Sequence, residues 1–198
     1  MKVNELKIEG AWEFVPVQHG DPRGVFLEWY RFEQVEAVVG HPLRLAQANI
    51  STSVGGTVRG IHFAQVPPGQ AKYVTCVRGA VLDVIVDLRV GSPTFGEWTS
   101  AQLDETERNA IYLGEGLGHG FCALTGDVTI AYLCSEVYNP AREFAVNALD
   151  PELGIVWPAD SPLLSARDSA APSLAEAAAQ GLLPSYADYR AYVDALRA

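Results

Sequence analysis

The chain has 198 residues, 48% hydrophobic and 19% charged, an ordinary globular composition with enough chain to bury a sizeable core. Asp and Glu number 24 against 14 Lys and Arg, a formal net charge of −10. That balance excludes a general affinity for nucleic acid or for anionic membrane, but it leaves room for one anionic ligand held by a few arginines in a cleft.

The start, Met1 to Glu5, carries no apolar run of signal-peptide type. Up to Val17, loose alternation of Val3, Leu6, Ile8, Trp12 and Phe14 predicts one or two strands. Asp21-Pro22-Arg23-Gly24 is a turn by composition, Val25 to Tyr30 a strand, and Phe32 to Val39 a short helix. Gln47 to Ser51 and Thr57 to Phe63 flank Gly55-Gly56, which predicts a hairpin. On its second strand, period two puts Val58, Gly60 and His62 on one face and Thr57, Arg59, Ile61 and Phe63 on the other. For Arg59 and His62 to serve one site the strand must bulge, and Gly60 is the position for it.

Pro67-Pro68-Gly69 reads as a loop, and Ala71 to Val77 as a strand turning at Arg78-Gly79. In Val81 to Leu88, Leu82, Val84, Val86 and Leu88 share one face; Val81, Asp83, Ile85 and Asp87 share the other. Two carboxylates on that face point either into a polar cavity or to solvent. Trp98 to Leu103 and Ala110 to Leu113 are further strands. Gly114 to Gly120 is glycine-rich but does not lead into a helix, so it reads as a tight connection between strands and not as a phosphate cradle. Phe121 to Leu124 and Val128 to Ser135 complete the β region. Ser173-Leu174-Ala175-Glu176 is a capping box opening a helix that stops at Gly181. Tyr186 to Arg197 carries Tyr189, Val193 and Leu196 at helical spacing. No stretch approaches the length of a transmembrane helix. Many short strands between Gly/Pro turns, with a helical tail over about 173–198, predict one domain spanning 1–198, all-β, a sandwich or a barrel.

Polar residues stand inside strand-like runs at Gln47, Asn49, Arg59, His62, Lys72, Asp83, His119 and Tyr132. Each alone has a structural explanation. A lone His is more often a hydrogen-bonded core residue, Lys72 fits a guard on a sheet edge, and Tyr132 fits a core aromatic with its hydroxyl at the rim. Together they supply a base, a cation and a phenolic acid, the parts needed to abstract a proton next to a carbonyl. The four histidines, His19, His41, His62 and His119, form no His-x-His pair, so no catalytic metal is expected. No Gly-x-Ser-x-Gly is present, which argues against a serine hydrolase. Cys76, Cys122 and Cys134 sit in apolar runs without a Cys-x-x-Cys pair; they read as buried thiols of a reducing compartment, the cytoplasm.

Several segments resemble one family in order along the chain. They are Asp21-Pro22-Arg23-Gly24, Arg59 to Phe63, Gln70-Ala71-Lys72-Tyr73, Asp83 to Arg89 with Gly91 to Gly96, Gly118-His119-Gly120-Phe121, Tyr138-Asn139-Pro140, Asp150-Pro151 and Leu164 to Asp168. Together, from about residue 8 to Asp168, they are similar to dTDP-4-dehydrorhamnose 3,5-epimerase and its relatives in antibiotic deoxysugar pathways. The Pro67-Pro68-Gly69 form and the Gly181-Leu182-Leu183-Pro184 tail look closer to the antibiotic-sugar branch.

The resemblance implies a cupin-type jelly-roll β-sandwich with short C-terminal helices, working as a homodimer with exchanged N-terminal strands. It implies epimerisation of dTDP-4-keto-6-deoxy-glucose at carbon 3, carbon 5 or both, with no cofactor, because the substrate's ketone acidifies the neighbouring protons. It implies His62 as base with Asp168 as its partner, Tyr132 as the acid on the opposite sugar face, and Lys72 near the ketone. His119 matches a residue lining the substrate site, and Tyr138 matches the aromatic that stacks on thymine. Arg23, Glu28, Gln47, Asn49, Arg59, Glu143 and Arg167 match nucleotide-sugar contacts, Arg23 and Glu28 being ones the partner chain can supply. Arg167 stands where the rhamnose enzyme often has Lys. The competing expectations are a cupin 3,4-keto-isomerase and a non-catalytic cupin that binds nucleotide sugars.

Overall fold

A computed structural model describes all 198 residues. Four strands open the chain: β1 (Lys2–Glu5), β2 (Ala11–Val15), β3 (Gln18–Asp21) and β4 (Gly24–Leu27). Helix α1 (Phe32–Val39) follows, then β5 (Gln47–Val54), β6 (Val58–Ala64), β7 (Lys72–Arg78) and β8 (Ala80–Asp87). Next come β9 (Trp98–Asp104), β10 (Ala110–Leu113), β11 (Leu117–Ala123), β12 (Asp127–Cys134) and β13 (Glu143–Ala145). The tail holds α2 (Ala166–Ser169), α3 (Leu174–Ala179) and α4 (Tyr186–Arg197).

Two antiparallel sheets face each other, in the orders β1-β2-β10-β7-β12-β5 and β13-β6-β11-β8-β9. Their inner faces interdigitate. Val74, Cys76, Ile111 and Ile130 of the first meet Val81, Ile85, Leu103 and Phe121 of the second. Burying such side chains is the main stabilising term, roughly 1.5–3 kcal/mol each. Both outer faces are covered as well. Val35 and Val39 of α1 pack on Phe14, Tyr73 and Tyr112, while Val146, Trp157, Leu174 and Ala177 close over Val58, Phe63, Val84 and Val86. The capping box at Ser173 and Glu176 is present, and Gly181 follows the helix it opens with a φ of +66°. No helix is long and apolar enough to cross a membrane.

The structure corrects three local expectations. The Gly55-Gly56 stretch is a corner between sheets and not a hairpin: β5 pairs with β12 over its whole length, while β6 pairs with β11 and β13. A glycine pair between β-rich runs serves both geometries, and the available partner strands decide which forms. The run 114–120 is only partly a connection, because its second half forms the first part of β11. A Cβ on Gly118 or Gly120 would fall 2.6 or 2.7 Å from the Ile61 side chain, so close packing rather than a turn requires those glycines. Lys72 guards no edge, since β7 lies between β10 and β12.

Candidate active site

The site begins at an irregularity in β6. His62 lies opposite His119 on β11, and Arg59 lies opposite Phe121, so three steps on one strand match two on the other. The extra residue restores parity and brings Arg59 and His62 to one cavity. Gly60 makes the bulge possible. Its φ is +123°, and a Cβ there would meet the Gly120 Cα and the His119 carbonyl oxygen at 2.6 Å.

The cavity holds about 140 Å³ between the sheets. Arg59, His62, His119 and Phe121 line it from one sheet; Ser51, Lys72, Ile130 and Tyr132 line it from the other. His62 Nε2 is 2.6 Å from Asp168 Oδ1, and Asp168 is buried. A carboxylate only accepts, so Nε2–H donates and Nδ1 keeps its lone pair. Asp168 is placed by α2, whose N-cap Ser165 accepts from the Asp168 backbone N–H at 3.0 Å. Burial acts to raise the Asp168 carboxyl, but the bond and charge of His62, with help from Ser165 and the Gly60 N–H, outweigh it and leave the group below its usual range.

A second histidine–carboxylate pair sits deeper. His119 Nε2 lies 2.9 and 3.1 Å from the two oxygens of Asp83, and both residues are buried. Burial pushes Asp83 up, against the pull of His119 and Lys72. Burial pushes the Lys72 ammonium down, against Cys134, Glu143 and Asp83, and it raises the Tyr132 phenol, so that hydroxyl keeps its proton at neutral pH. The other inward carboxylate, Asp87, is structural: it takes two 2.8 Å bonds from the fully buried Arg89 and 2.6 Å bonds from Ser92 and Thr94. No three His, Cys, Asp or Glu side chains gather to hold a metal ion.

A larger, open cavity of about 720 Å³ lies alongside, lined by Tyr138, Pro140, Glu143, Arg167 and the tail from Ala170 to Leu182. Arg167 donates to the Glu143 carbonyl at 3.1 Å, and Glu143 Oε1 accepts from the Asn139 N–H at 2.8 Å. Gln47 ties this rim to β5: its Oε1 accepts from the Tyr138 N–H at 2.9 Å, and its amide donates to Asn49 at 2.9 Å.

Residues 5–176 match the dTDP-4-dehydrorhamnose 3,5-epimerase family. A dTDP-4-dehydrorhamnose 3-epimerase of Streptomyces niveus is 60% identical, over 96% of this chain and 92% of its own. An epimerase structure from Mycobacterium tuberculosis superposes with a TM-score of 0.98 at 50% identity, covering 100% of both chains. A 3′-monoepimerase from Streptomyces bikiniensis, solved in complex with dTDP-quinovose, gives 0.94 at 53% identity over 97% and 98%. The chain belongs to the dTDP-4-dehydrorhamnose 3,5-epimerase family.

It is thus a dTDP-sugar epimerase, an isomerase of deoxysugar biosynthesis, and its sandwich is of the cupin type. Within one chain of this epimerase, Arg59, His62, Lys72, His119, Tyr132 and Asp168 come together, and Gln47, Asn49, Tyr138, Glu143 and Arg167 form the neighbouring rim. Arg23 and Glu28 do not join them. Arg23 is on the exposed β3–β4 hairpin, bonded to Asp21, and Glu28 bonds Arg31 at 2.9 Å. The sequence reading assigned Asp83 no role, although its parity with Ile85 and Val81 was the signal that it points inward. It also missed Ser51, Phe121 and Ile130 as cavity walls, since nothing in an apolar or hydroxyl side chain marks it as one.

Proposed function

We propose that this epimerase acts on dTDP-4-keto-6-deoxy-glucose, with His62 as base, Tyr132 as acid and Lys72 holding the enolate oxygen. One observation carries the reading: His62 and Tyr132 enter the same cavity from opposed sheets. A sugar ring between the sheets presents one face to the imidazole and the other to the phenol. His62 Nδ1 takes the proton beside the ketone, and the electron pair moves to the ketone oxygen beside the Lys72 ammonium. Tyr132 then gives its proton to the carbon from the opposite face. The imidazolium and the phenolate exchange protons with solvent to reset the site.

Tyr138 offers an aromatic face to thymine beside the larger cavity, with Arg167 and Glu143 at its wall. Arg59, at the cavity mouth, faces the diphosphate. Asn49 and Gln47 continue the contact along β5, and His119 forms the floor under the sugar. The chain works as one domain, as a homodimer. Its N-terminal hairpin projects unpaired with Phe26 68% exposed, and the free edge strand β5 turns out Ile50 at 74%. Exchange of N-terminal strands covers such surfaces and brings Arg23 and Glu28 to the partner's site. Three buried, unpaired cysteines accord with a cytoplasmic location.

The test is incubation of the keto-sugar with the enzyme in deuterium oxide, with the label and the configuration located by NMR. Deuterium at carbon 3, carbon 5 or both, with inversion at the labelled carbon, is the expected result. A bound sugar that gains no label overturns the reading, and a carbonyl moved to carbon 3 makes the protein a keto-isomerase.

A further inference from the structure

Asp83 is buried beside two residues, His119 and Lys72, that line the cavity between the sheets. On β8 it shares the inward face with Val81 and Ile85; on β7, Lys72 shares the inward face with Val74 and Cys76. Those four apolar residues pack together in the inter-sheet core, so Asp83 and Lys72 enter the same layer from opposite sides. Phe121 lies opposite Asp83 and His119 opposite Ile85, so His119 reaches Asp83 along the diagonal of one sheet face. Both Asp83 oxygens meet His119 Nε2, and the residue is 1% exposed.

We propose that Asp83 is a positioning residue for the epimerisation, fixing the His119 ring and supplying a buried counter-charge that keeps Lys72 cationic. The proposal rests on the assignment of Lys72 to the enolate oxygen. Lys72 is surrounded by groups from five strands. Arg59 and His62 come from β6, His119 from β11, Tyr132 and Cys134 from β12, Glu143 from β13, and Asp83 from β8. Burial holds Tyr132 and Cys134 in their protonated, neutral forms, so neither offsets the ammonium. The anions are Glu143 and Asp83. Glu143 acts on Lys72 more strongly than Asp83 does, but it stands at the open rim with its Oε1 bound to the Asn139 N–H. A ligand or solvent entering that rim competes for Glu143. Asp83 lies where neither arrives, and the ring N–H of His119 at 2.9 and 3.1 Å from its two oxygens favours the carboxylate against burial, so the counter-charge it offers is not displaced during the catalytic cycle.

This chain has three lysines, Lys2, Lys7 and Lys72, so lysine labelled with ¹³C at Cε gives three signals to follow against pH. Lys72 is the signal missing from Lys72→Met. In the wild type it remains ammonium at pH 8. In Asp83→Asn, which keeps the shape and an acceptor for His119, its titration moves down by about half a pH unit or more. The alkaline limb of kcat moves down with it, while KM changes less than about twofold, because Asp83 touches no substrate. An unmoved Lys72 titration in folded Asp83→Asn overturns the proposal. So does a limb that stays fixed while kcat falls, which is the mark of a merely structural role. Should Asp83→Asn not fold, the wild-type titration decides: Lys72 neutral at pH 8 overturns the proposal. A wild type that incorporates no deuterium, with the Lys72 shift intact, would instead remove the epimerisation reading on which the inference stands.

Discussion

His62 and Asp168 are 106 residues apart in the chain, and their side chains meet at 2.6 Å. The pairing fixes which imidazole nitrogen is free, so with His62 as the proposed base, losing the partner and losing the base affect one step. His62→Ala lowers deuterium exchange into the substrate by about 10²–10⁴-fold. Asp168→Asn loses less, because the imidazole remains. In the double mutant the losses fall well short of adding in free energy. Full additivity, measured by exchange rates on all four proteins, would falsify the dyad.

The same carboxyl gives a pH signature in stability. Asp168 is held below its usual range in the folded protein, so it favours the fold above the unfolded carboxylate pKa near ~4 and loses that effect as pH falls through its lower folded value. Thermal unfolding of wild type and Asp168→Asn from pH 7 to pH 2 shows a gap in Tm that narrows below about pH 4. A gap that widens in acid reverses the sign and the assignment.

Tyr132→Phe separates abstraction from inversion. The ring keeps its packing against the inter-sheet core and loses only the hydroxyl. The variant folds, binds dTDP and still exchanges the substrate proton through His62, but it returns mainly the starting configuration. Label and stereochemistry are read in one tube by NMR. Unchanged inversion means that the acid lies elsewhere, and loss of exchange as well means that Tyr132 acts before the enolate forms.

Gly60→Ala disrupts the bulge. Its φ of +123° and the 2.6 Å approach to Gly120 and to the His119 carbonyl leave no room for a methyl group. Urea unfolding shows a loss of about 2–4 kcal/mol. Activity falls further than the folded fraction, because Arg59 and His62 lose their common face. A stable variant with wild-type turnover means that the strand tolerates another route to the same parity.

Mixing two inactive variants tests whether sites are shared. Arg23→Ala lies on the exposed hairpin and His62→Ala in the cavity. If Arg23 completes the partner's site, a heterodimer holds one doubly damaged site and one intact site. Randomised mixing then restores about a quarter of wild-type turnover. No recovery after subunit exchange, verified by native mass spectrometry, places Arg23 outside the partner's site.

The sequence disclosed most where a local rule has one outcome. Ser173 with Glu176 could only open a helix, α4 falls where helical spacing puts it, and α1 and β10 fall on the segments read as a short helix and a strand. Gly60 was legible for a different reason: two polar residues of opposite parity needed a bulge between them, and only one residue there tolerates it. Gly55-Gly56 misled because a hairpin and a corner share their composition, and distant partners, β12 for one strand and β11 for the other, made the choice. The four-residue helix α2 is too short to show a period, though Ser165 and Asp168 stand in N-cap spacing. Asp83 stayed ambiguous because period two says which face a residue takes and not what that face looks upon.

That corner has a bearing on how such an enzyme changes over generations. By sending β5 and β6 to opposite sheets, it builds the reaction chamber from the same interlayer that holds the fold together, so a substitution altering sheet spacing alters chemistry and stability at once. Tyr138 and Arg167 stand apart from that interlayer, on a loop and a short helix. With these two residues holding the carrier nucleotide as proposed, its recognition can drift, or be engineered, one residue at a time, while the chamber admits only coordinated change across both sheets.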